Sequence, residues 1–108
     1  MAAHEGAHAR LTQLREALDA QPADAGLYLA RAAVLSAHRE HADALVDLDR
    51  AATLDPDVGA LHLERARALA GLGCLDAAER HAVAHLARRP DDGTAWRLLA
   101  QVLDRLPL

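Results

Sequence analysis

The sequence predicts an all-α fold of about six helices, and three observations lead there. The apolar content is mostly Ala and Leu, both strong helix formers. The residues that favour strands are scarce: Phe is absent, and Tyr28 and Trp96 are the only large aromatic side chains. Apolar positions recur with helical spacing, and Pro22, Pro56 and Pro90, each 34 residues from the next, punctuate the pattern.

Each element has a local cause. A first helix over 5–20 carries Leu11, Leu14 and Leu18. Residues 25–37 place Tyr28, Ala32 and Leu35 on one face, with Leu29 beside them, and 42–54 do the same with Ala44, Leu45, Leu48 and Ala51. Two further helices follow over 59–71 and 75–88, and the last, over 93–105, carries Trp96, Leu99 and Leu103. The three prolines cannot continue a helix and push the preceding residue out of helical geometry. Gly71 and Gly73 stand where a helix should end, since glycine accepts the left-handed turn. Asp24, Asp57 and Asp92 precede helix starts and are expected to cap free N–H groups. Loops this short make neighbouring helices antiparallel.

The helices form a repeat. Residues 25–58 laid on 59–92 match at Leu27/Leu61, Leu29/Leu63, Arg31/Arg65, Ala32/Ala66, Leu35/Leu69, Ala44/Ala78, Pro56/Pro90 and Asp57/Asp91. The register runs on in both directions: Leu11, Leu14 and Ala17 fall on Leu45, Leu48 and Ala51, while Ala100 and Leu103 fall on Ala66 and Leu69. The chain therefore divides into a half-unit helix (5–20), full units at 25–58 and 59–92, and a capping helix within 93–106. Arg10 occupies the position of the small Ala44, which makes the first helix a degenerate half-unit.

A helix–turn–helix unit of 34 residues ending in proline resembles the tetratricopeptide repeat, whose signature is Trp-x2-Leu-Gly-x2-Tyr, then Ala-x3-Phe, then Pro. Here the first part reads Trp96-x2-Leu99-Ala100-x2-Leu103, and Tyr28-x2-Arg31-Ala32-x2-Leu35 and His62-x2-Arg65-Ala66-x2-Leu69 in the full units. The second reads Ala44-x3-Leu48 and Ala78-x3-Ala82. Arg31 and Arg65 depart from the leucine of the motif, and Ala82 from its aromatic. The resemblance implies a right-handed α-solenoid of antiparallel helix pairs, whose first helices line a concave surface that binds a partner protein or peptide. By resemblance that lining comprises Leu29, Ala33 and Ser36 in the first unit, Leu63, Glu64, Arg67 and Ala70 in the second, and Arg97, Gln101 and Arg105 in the last helix. Arg67, Arg97 and Arg105 suit acidic groups on such a partner. Leu29 and Ala33 stand where a clamp for a chain-terminal carboxylate would need polar residues.

The remaining chemistry is sparse. Arg31 and Arg65 are expected to pair with acidic residues on an adjacent second helix, such as Asp47 or Asp49, with ligand anchoring as the alternative. His4/His8 and His81/His85 are i,i+4 pairs, but no full ligand set has metal spacing, and they read as surface histidines. No nucleophile constellation or phosphate loop is present, so the sequence predicts neither an enzyme nor a cofactor. A net charge of −4 argues against nucleic acid. Absence of a long apolar run argues against a membrane span, and that of a basic-then-apolar start against a secretory leader. With Cys74 the sole cysteine, a cytoplasmic location is expected. Two functions stay open: an adaptor with a peptide-binding groove, or a self-associating module, such as a homodimer paired through Leu11, Leu14 and Leu18.

Overall fold

Helix ends in this chain are set by a few capping residues at repeated positions. The computed structural model describes residues 2–107, with side chains from residue 6 onward. Six helices follow one another: α1 (Ala2–Ala20), α2 (Ala25–Ala37), α3 (His41–Leu54), α4 (Leu61–Gly71), α5 (Leu75–Arg88) and α6 (Gly93–Arg105). Asp24 caps α2 by accepting from Leu27 N, and Asp92 caps α6 by accepting from Thr94 N and Ala95 N. Asp57 does not cap. Val58 holds the register of Asp24 and Asp92, so α4 has no side-chain cap and begins at Leu61 rather than at 59.

The C-terminal ends repeat with equal regularity. Arg39 N and Glu40 N donate to Ser36 O and Leu35 O after α2, and Gly73 N and Cys74 N donate to Ala70 O and Leu69 O after α4. This is the paired-bond stop that needs a left-handed residue after the helix cap. Gly73 supplies it at φ 81°, whereas Arg39 is driven to φ 64° at the equivalent position.

Packing runs from neighbour to neighbour. Each helix contacts the next, and α2 also contacts α4, and α4 contacts α6. Among the described residues, α1 and α3 make no such approach, nor do α3 and α5. Ala32, Ala44, Leu48 and Ala51 form the core of the first pair; Ala66, Ala82 and Leu86 join Ala95 and Leu99 beyond it. Alanines at these points let helices approach closely, which is why Ala44, Ala66 and Ala78 have no exposed surface. Ala100, expected in the same role, is exposed, because no helix follows α6 among the described residues.

Of the leucines expected on the N-terminal face, Leu14 and Leu18 are buried against the body of their own chain and Leu11 is half-buried. No helix among the described residues is long and apolar enough to cross a membrane.

Candidate functional site

The α2–α4–α6 row carries a cavity of about 410 Å³. Ala33, Ser36 and Ala37 from α2 form one wall, with His41 from the start of α3. Arg67 of α4 and Leu98 and Gln101 of α6 complete it. The helical period explains the selection: Ala33, Arg67 and Gln101 occupy one position in successive units, so the repeat stacks them across three helices.

Of the residues expected in the lining, Ala33, Ser36, Arg67 and Gln101 come together here. Leu63, Glu64 and Ala70 are instead buried, Leu63 and Ala70 within the apolar core. Leu29 packs against the core of the first pair. A Cβ on Gly59 would lie only 3.2 Å from Leu29 Cδ2. Arg97 is exposed and stands outside the cavity. Arg105 Nη1 donates to Ala70 O at 3.1 Å, which ties the end of α6 to α4. Ala37, His41 and Leu98 are lining residues that the repeat position alone did not indicate. No sequence signal pointed to His41; in the structure Gly71 leaves room for it, and a Cβ there would collide with the His41 ring. Ser36 Oγ lies 3.3 Å from His41 Nδ1, fixing that ring from the other side.

Charge at the site centres on Arg67, whose Nη1 donates to Glu64 Oε1 at 3.0 Å. Glu64 is buried, and its second oxygen has no partner. Burial pushes the Glu64 carboxyl above the usual carboxylate range, with Arg67 opposing the shift. The Arg67 side chain keeps 39% exposure, so its guanidinium can reach both the buried carboxylate and an incoming group.

Arg31 and Arg65 are engaged in the frame. Arg31 makes a bidentate pair with Asp47, Nε to Oδ2 at 2.7 Å and Nη2 to Oδ1 at 2.8 Å, and the carboxylate raises the arginine's proton affinity. Arg65 reaches Asp49 at 3.2 Å. Tyr28 OH and Trp96 Nε1 donate to Pro22 O and Pro90 O, each six residues back. His62 stands at the same repeat position but stacks on His81. The expectation of surface histidines fails at His85, which is buried with Nε2 2.8 Å from Asp92 Oδ2. The His4 side chain lies outside the described residues. Among the described residues, no three His, Cys, Asp or Glu side chains gather in a metal-binding arrangement.

No protein-family model matches the chain, and a search of curated proteins finds no match either.

Proposed function

We propose that this chain is a protein-binding module of the tetratricopeptide type, an adaptor that holds a segment of a partner protein across α2, α4 and α6. The observation that carries this reading is the convergence of Ala33, Ser36, Arg67 and Gln101 on one cavity. The contact pattern supports a curved stack: α2, α4 and α6 touch in series, while α1, α3 and α5 stay apart from one another, as in a superhelix with its first helices inside. The right hand of that superhelix and the assignment to the repeat family rest on the 34-residue register.

The wall chemistry selects the ligand class. Ala33, Ala37 and Leu98 offer apolar contact, and Arg67, Ser36 and Gln101 offer hydrogen bonds, so the ligand is a peptide with a small apolar anchor followed by an acidic group. Neither catalysis nor a cofactor is part of this reading, and the partner is neither nucleic acid nor membrane.

A peptide library selected against the chain tests it. Selected peptides should carry that pattern and lose tenfold or more in affinity with Arg67→Gln and with Gln101→Glu. The first variant keeps a donor for Glu64; the second adds a negative charge at an exposed position. Peptides that bind both variants as tightly as the natural chain remove the groove from consideration.

A further inference from the structure

Among the described residues α6 is the last of the row, and it carries an apolar face that the other units cover. Trp96, Ala100 and Leu103 are exposed, Trp96 by 51% and Leu103 by 46%. Their counterparts are Tyr28, Ala32 and Leu35 in one unit and His62, Ala66 and Leu69 in the next. There the central alanine is sealed, Ala32 at 1% and Ala66 at 0% exposure, within the cores shared with α3 and α5. A helix face of this shape is built for close approach of a second helix.

Helical geometry shows what fits. At about 100° per residue, Trp96 and Leu103 lie on one flank of Ala100, and Arg97 and Asp104 lie on the other. In an antiparallel pair of α6 helices about a two-fold axis at Ala100, each flank faces the same flank of the second copy. Trp96 then meets the second copy's Leu103, and Arg97 meets its Asp104, each aligned to within about one helical rise of 1.5 Å. Ala100 faces Ala100, where small side chains are needed. Among the described residues neither Arg97 nor Asp104 has an ion-pair partner in its own chain. The bond from Trp96 Nε1 to Pro90 O at 2.7 Å holds the indole in place, which lowers the entropy lost on pairing.

The N-terminal end does not offer a rival. α1 occupies the register of a second helix, but Arg10 stands where Ala44 and Ala78 are fully buried, so a long side chain blocks close approach to α6 of another copy. We infer that a second copy of this chain docks on α6, forming an isologous dimer through Trp96, Ala100 and Leu103 with reciprocal Arg97–Asp104 ion pairs. One short helix from each chain makes a small interface, so the dimer belongs to the weak, concentration-dependent class.

Sedimentation equilibrium from micromolar to millimolar concentration tests this, with circular dichroism to verify each fold. The mass of the natural chain should rise from one copy to two and stop there. Arg97→Asp and Asp104→Arg, both at exposed positions, should each stay monomeric, because each sets like charges opposite one another. An equimolar mixture of the two should dimerise, since the like-charged copies complement each other, and Ala100→Glu should be monomeric. A natural chain that keeps the mass of one copy throughout overturns the proposal, as does growth beyond two copies. Single-charge variants that dimerise like the natural chain place the contact elsewhere and also overturn it.

Discussion

The Nδ1 atoms of His62 and His81 face each other at 3.0 Å, with the rings stacked at 5.3 Å between centroids. A hydrogen bond at this position requires one ring to donate and the other to accept, so at most one of the two Nδ1 atoms carries a proton. Burial lowers the proton affinity of both rings, followed for His62 by Arg65, Arg88 and His85, and for His81 by its partner His62 and then Arg65 and Arg80.

That arrangement predicts a stability loss in mild acid. The unfolded chain takes up protons at the ordinary histidine value near 6.5, whereas the folded chain resists them until lower pH. Stability is therefore complete above that value and falls as pH drops through it. Urea midpoints should decline between roughly pH 7.5 and pH 5.5. In His62→Gln, which keeps a donor and an acceptor but cannot titrate, the decline should be much shallower. An unchanged slope would trace the pH response to another group.

Asp47 is almost fully buried and accepts both bonds from Arg31. Asp47→Ala should cost about 3 kcal/mol, because it leaves a half-buried guanidinium without its carboxylate. Chemical denaturation against the natural chain measures this. Asp49→Ala should cost far less, under about 1 kcal/mol, since Asp49 is exposed and its pair with Arg65 is screened.

Substitution of Glu64 should have the opposite effect on stability to that of Asp47. Its carboxyl is held above the usual range by burial, so ionised Glu64 costs stability at neutral pH and relieves that cost as pH falls toward the ordinary carboxylate range. Glu64→Gln should stabilise the chain by about 1 kcal/mol at pH 7, by removing a charge with one unsatisfied oxygen. The difference between the two chains should shrink on acidification. A variant that melts lower than the natural chain at pH 7 contradicts this.

Arg39 adopts φ 64° where the next unit has Gly73 at φ 81°. A side chain in that region carries a steric cost that glycine avoids, so Arg39→Gly should stabilise by roughly 1 kcal/mol despite the entropy glycine adds to the unfolded chain. Gly73→Arg should destabilise by a similar amount. Thermal melts of both variants check the pair.

How much was legible depends on whether a feature is local. The spans of α2, α5 and α6 follow from apolar period, proline and caps, and the structure has them at Ala25–Ala37, Leu75–Arg88 and Gly93–Arg105. Capping by Asp24 and Asp92 was readable for the same reason: the bond lies within three residues. Side-chain partners across helices were only partly readable. His81 stands in the register of Asp47, so Arg65 has no carboxylate at the place where Arg31 finds one and reaches Asp49 of the preceding unit instead.

The amino-acid sequence by itself determined an all-helical chain, its breaks and its 34-residue register, because backbone sterics and apolar period act over a few residues. Only the tertiary structure decided which members of that register are buried. Leu63 and Ala70 sink into the core while Arg67 between them reaches the cavity, and Ala100 stays exposed where Ala66 is sealed. The physical reason is that burial belongs to the neighbouring helix: the same side chain at the same repeat position is core when another helix lies against it and surface when none does.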